Sequence, residues 1–87
     1  MNTYTRNEAV EWIVLEDEAV LFDGTELHHL DASGTAVWLA VDGFSSADEI
    51  ASALAAQFDS DAAQVRMDTV DLLRTLAQKR LVDVVSA

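Results

Sequence analysis

Eighty-seven residues, sixteen of them acidic against five basic for a net charge of −11, predict one small acidic domain over residues 1–87, since domains run to about 100–200 residues. The absence of cysteine excludes disulfides and thiolate zinc sites, and the interval between Arg6 and Arg66 holds 13 acids and no base, so no cationic cluster stands ready to neutralise a nucleic-acid backbone. The N-terminus lacks a secretory pattern and no apolar run approaches the roughly 20 residues that cross a bilayer, so a cytoplasmic protein without nucleic-acid or membrane partners is expected.

The first predicted element is a strand over Val10–Glu16, VEWIVLE, whose β-branched and aromatic residues suit a pleated surface. Alternation places Val10, Trp12 and Val14 on one face and Ile13 and Leu15 on the other. The acidic Glu16-Asp17-Glu18 turns the chain into a second strand, Ala19–Phe22. Asp23-Gly24 then signals a tight hairpin, because a two-residue turn needs positive φ at its centre. A third strand comes next, over Thr25–Leu30. No later strand offers itself as a partner, so this third strand is predicted to be a sheet edge.

Three helices complete the chain. The first spans Ser33–Val41, capped by Asp31 or Ser33 and stopped by Gly43. Trp38, Val37, Val41 and Phe44 are assigned to the core, as is Trp12. The second opens on the capping box Ser46-Ala47-Asp48-Glu49, runs over Ala47–Gln57, and turns Ile50, Leu54 and Phe58 inward. The third is capped by Asp61 and extends to about Arg80, leaving Leu81–Val85 as an apolar tail. On a helical wheel its apolar residues fill an arc of about 180°, wider than the stripe of about 100° a surface helix needs. The surplus serves either as plain core or as an apolar shoulder beside the third strand.

Catalysis finds little support. His28 and His29 are the only histidines, and neighbours on a strand point to opposite faces, so they do not share a metal; one is expected against the core and one in solvent. Ser33, His29 and Asp31 lie within five positions, but no nucleophile elbow accompanies them, and three glycines do not make a phosphate-cradling loop. No cofactor and no enzymatic activity are predicted. The edge strand is more informative. Unpaired backbone groups are a template for another chain, and Thr25–Leu30 carries neither Lys nor Pro to blunt them. Such an edge beside a wide apolar helix suits strand addition by an extended peptide.

Leu30-Asp31, Gly34, Trp38, Asp42-Gly43 and the helix begun at Ser46, followed by Val70-Asp71-x-Leu73, Leu76 and Lys79-Arg80-Leu81-Val82, form an ordered set that resembles the PqqD family. Asp31 stands where the family usually has asparagine. The resemblance implies an α+β, winged-helix-like fold: a three-stranded antiparallel sheet followed by three helices. It further implies a RiPP recognition element, a non-catalytic adaptor that binds the leader of a ribosomally made precursor antiparallel to strand three, in a groove against helix three. Carried onto this sequence, the peptide backbone would lie along Glu26, Leu27, His28, His29 and Leu30. Its apolar anchors would meet Val65, Thr69, Leu72, Leu73 and Leu76, with Arg66 and Asp68 flanking the groove. The implied partners are the precursor peptide and a processing or modifying enzyme such as a leader peptidase or radical-SAM enzyme. The compact hairpin leans toward lasso-peptide maturation, with a PQQ-type or radical-SAM pathway as the other candidates. The protein would be a monomer or weak dimer. A winged-helix nucleic-acid-binding module is the alternative, and the acidity opposes it.

Overall fold

A computed structural model describes residues 2–86. In chain order the elements are β1 (Asn2–Arg6), β2 (Glu11–Leu15), β3 (Glu18–Phe22), β4 (Leu27–Leu30), α1 (Ala32–Ala40), α2 (Ala47–Phe58), α3 (Ala62–Gln78) and β5 (Val82–Ser86). The expected three-stranded antiparallel sheet is present in the order β2-β3-β4, with three helices after it. The expected third strand is β4, and it pairs with β3 alone, Phe22 opposite Leu27 and Ala19 opposite Leu30. Among the described residues its other side is unpaired, as is the far side of β2.

The two hairpins exchange the turns expected of them. Leu15 opposes Glu18, so the two-residue turn is Glu16-Asp17, both left-handed at φ 51° and 69°. Their positive φ matches the twist of the flanking strands, at a steric cost that the sequence does not relieve with glycine. Asp23-Gly24 instead opens a four-residue loop, because Phe22 pairs with Leu27. There the Asp23 carboxylate accepts the amides of Thr25 and Glu26, each at 2.8 Å, and Gly24 supplies the φ of +98°. Thr25 and Glu26 therefore belong to the loop, and the strand begins at Leu27.

The predicted tail is a strand. α3 ends in a Schellman motif: Arg80 is left-handed at φ 60°, its amide donates to Ala77 O at 3.0 Å, and Leu81 N donates back to Leu76 O at 2.9 Å. That reversal satisfies the last helical carbonyls and launches β5 antiparallel to β1, from Arg6 opposite Val82 to Asn2 opposite Ser86. β1 carries no strand signal in the sequence because NTYTR has no apolar alternation. It is fixed at its other side to the α1–α2 loop, where Gly43 N donates to Tyr4 O at 2.8 Å.

The core gathers Leu21 from β3, Trp38 from α1, Ile50 from α2, Leu73 and Leu76 from α3, and Leu81 and Val82 from the C-terminal turn and strand. Two aromatic expectations are corrected. Trp12 is half-exposed and meets Trp38 edge-on at 5.9 Å, with the Arg6 guanidinium 5.0 Å from the Trp12 ring centre. Phe44, 85% exposed, lies past the end of α1 in a loop that Asp42 organises by accepting the Phe44 and Ser45 amides at 2.9 Å. No helix of the described residues is long and apolar enough to cross a membrane.

Candidate functional site

β4 is held in place by the residues immediately C-terminal to it. Asp31 leaves the strand and caps α1, its carboxylate accepting Gly34 N at 2.8 Å. One turn on, the buried Thr35 hydroxyl accepts Ala19 N at 2.7 Å and donates to Leu30 O at 3.3 Å. The first turn of α1 is thus fastened to both β3 and β4. Gly34 makes the approach possible: a Cβ there would lie 3.3 Å from Leu30 Cβ and 3.5 Å from Leu72 Cδ2. Strand end, helix start and α3 meet at this point because glycine leaves the space.

Beside that junction lies an open cleft of about 1230 Å³. His29 and Leu30 of β4 form one margin, α1 the floor, and Val65, Asp68, Thr69 and Leu72 of α3 the opposite wall. The C-terminal end of α2 closes one side with Leu54, Gln57 and Phe58, while Val14 and Asp17 of the β2–β3 hairpin reach in from the other. Phe58, expected to point inward, is 57% exposed and contributes its ring to this wall.

Several residues named from the sequence therefore do converge: His29, Leu30, Val65, Asp68, Thr69 and Leu72 line one cleft. Others do not. Leu73 is 0% and Leu76 2% exposed; they face the core behind the wall, because α3 packs its Thr69–Leu73–Leu76 stripe against the rest of the molecule. Neither is available to a ligand without repacking. Arg66 is also outside, its Nε 2.6 Å from Asp48 of α2 in an exposed ion pair. Leu27 is exposed at the start of β4, and Glu26 precedes the strand.

The two histidines divide as adjacent strand residues must. His28 sits opposite Leu21, on the inner face, but stops short of the core: its Nε2 is 3.0 Å from Asp23 Oδ2. His29 shares the outer face with Val20, its partner across β3, and is exposed. Asp23 is the most perturbed carboxyl of the region. The Glu26 amide, then His28, then the Thr25 amide hold it at about 2, well below the usual carboxylate value of 3.8. Val14, Asp17, Gln57 and Phe58 enter the cleft without a signal in the sequence, since their role depends on how the hairpin and α2 are set against α1.

A small α+β module with an unpaired strand edge opening on an apolar cleft is the class these features define. The family described as coenzyme PQQ synthesis protein D (PqqD) matches residues 11–82. Among curated relatives, the "PqqA binding protein" of Xanthomonas euvesicatoria pv. vesicatoria is 41% identical over 71 residues, covering 82% of this chain and 70% of that one. Its counterpart in Xanthomonas oryzae pv. oryzae is 39% identical over the same length. Among solved structures, TbiB1 in complex with the TbiA(beta) leader peptide aligns with a TM-score of 0.80 at 30% identity, covering 95% of this chain and 99% of that one. The PqqD truncation of Methylobacterium extorquens PqqCD, a stand-alone RiPP recognition element solved by NMR, aligns with a TM-score of 0.77 at 29% identity, covering 92% and 87%. The chain belongs to the PqqD family.

Proposed function

We propose that this chain, acting as a single module over residues 1–87, captures the leader segment of a ribosomally synthesised precursor peptide and presents it to a separate enzyme. The observation that carries this reading is the free edge of β4 beside the cleft walled by Leu72 and Val65. An extended peptide adds a strand to β4 through main-chain hydrogen bonds, and alternate side chains drop into the cleft. Two relatives support it by what they bind: PqqA in one case and the TbiA(beta) leader in the other. The role is binding rather than catalysis, in the cytoplasm where such precursors are made. Lasso-peptide maturation is the pathway this reading prefers.

Burying two apolar anchors contributes roughly 1.5–3 kcal/mol each. Strand pairing adds main-chain hydrogen bonds along the four residues of β4, and the two together work against several kcal/mol of association cost. The edge is formed by Leu27, His28, His29 and Leu30, the anchors meet Val65 and Leu72 with the buried Thr69 behind them, and Asp68 stands at the rim.

The test is titration of the 15N-labelled protein with the TbiA(beta) leader and with PqqA, following amide shifts. Perturbations concentrated on β4 and the N-terminal half of α3, and abolished in a folded Leu72→Asp variant, are expected. Shifts confined to β2 or to the β1–β5 pair with either peptide would overturn the assignment of the site.

A further inference from the structure

The charge around the candidate groove is one-sided in a way that specifies its guest. Asp17, Asp31 and Asp68 line the cleft itself, the first two near the Leu30 end of β4 and the third on the α3 wall; Asp23 and Glu26 stand just before the Leu27 end, in the β3–β4 loop outside that lining. Among the described residues no Lys or Arg lines the cleft. The chain's five basic residues are placed elsewhere: Arg6 over the Trp12 ring, Arg66 on Asp48, Arg74 in a separate recess with Tyr4 and Val84, and Lys79 and Arg80 at the C-terminal end of α3.

The acids at the groove are not neutralised from within by those bases. Asp31 accepts the Gly34 amide and Asp23 accepts the Thr25 and Glu26 amides, with His28 beside it. Asp68 accepts the Gln64 side-chain amide at 3.0 Å. A hydrogen bond from a neutral amide brings no opposite charge, so it leaves the field of a carboxylate standing. On a molecule of net charge −11 that field attracts cationic segments and repels acidic ones before contact is made.

From this we infer that the groove is selective for peptides of a stated pattern: two apolar residues two positions apart, with a Lys or Arg beyond each end of the segment paired to β4. This rests on the peptide-capture reading and adds a substrate class to it. The spacing comes from the strand. β4 offers four residues, so an added strand has two side chains facing inward, enough to cover Leu72 and Val65. The residues just beyond reach the acids at either end. The pattern has basic residues at both ends and so does not depend on the peptide's direction.

Two synthetic peptides test it, identical in their two leucines and differing only in whether lysine or glutamate flanks the paired segment. Each is titrated into the intact 15N-labelled chain at low salt and at about 0.5 M salt, where the screening length is only a few ångströms. The lysine peptide is expected to shift β4 and α3 amides with an affinity roughly tenfold or more above that of the glutamate peptide. High salt narrows that gap, and a folded Asp17→Lys/Asp68→Lys variant erases it. Equal binding of both peptides at β4 would overturn the selectivity while leaving peptide capture intact. Absence of β4 shifts with either peptide would overturn both, and lysine-peptide shifts that map outside the cleft would overturn the selectivity.

Discussion

The Thr35 hydroxyl accepts the Ala19 amide at 2.7 Å inside the protein and passes its own proton toward Leu30 O. One side chain of α1 thereby ties the start of β3 to the end of β4, the strand whose free edge borders the cleft. Thr35→Val, nearly the same shape, leaves a buried N–H without an acceptor, which costs about 1–3 kcal/mol. Urea unfolding should show that loss, and Thr35→Ser should recover most of it.

Asp31 begins α1 by accepting the Gly34 amide. Loss of such a cap costs about 1 kcal/mol, so Asp31→Ala should lower unfolding stability by that amount. Asn keeps the acceptor oxygen, and Asp31→Asn should be close to neutral in the same measurement.

Leu72 and Leu73 are neighbours with opposite duties. Leu73 is fully buried, and Leu73→Ala should destabilise by about 2–5 kcal/mol while leaving the peptide affinity of the folded fraction unchanged. Leu72, half-buried in the cleft wall, should behave in the reverse sense. Thermal unfolding and peptide titration on both variants separate the two.

The helices and their caps are legible in the sequence, because Ser46, Asp61 and Asp31 each signal a start through a short-range hydrogen bond. The free edge of β4 is foreseen on the premise that no later strand follows it; a later strand, β5, does exist, and the edge stays free because β5 pairs with β1 instead. Long-range pairings are less visible. β1 and β5 lie 82 positions apart where Thr3 Oγ1 reaches Val85 O, and nothing local in NTYTR announces a partner. The family resemblance carries Leu73 and Leu76 into the groove, whereas both are buried; a helical wheel could not warn of this, since it shows how wide an apolar face is and not which half the core claims. The resemblance likewise carries Arg66 to the rim, and its partner Asp48 lies on another helix, out of reach of any local signal.

Acid should loosen the β3–β4 loop. The Asp23 carboxyl is held at about 2, below its unfolded value, so its contribution is present above the unfolded value of 3.8 and is lost as pH falls toward 2. Amide exchange at Thr25 and Glu26 should accelerate over that window, and in Asp23→Asn the acid dependence should largely vanish.

Arg66 and Asp48 are each 61% exposed. An ion pair so open to water is worth less than about 1 kcal/mol. Arg66→Ala should therefore shift the urea midpoint only slightly, and a larger change would mean that the pair holds α2 against α3.

With Asn2 facing Ser86 across the β1–β5 ribbon, anything fused to either end would start from the same doorstep, on a ribbon that does not hydrogen-bond to the sheet containing β4. The same proximity makes the molecule a natural candidate for circular permutation, in which a short bridge closes the ribbon and new ends are cut at the left-handed Asp59. A permutant of that kind would keep the free edge of β4 while presenting tags from the helical side.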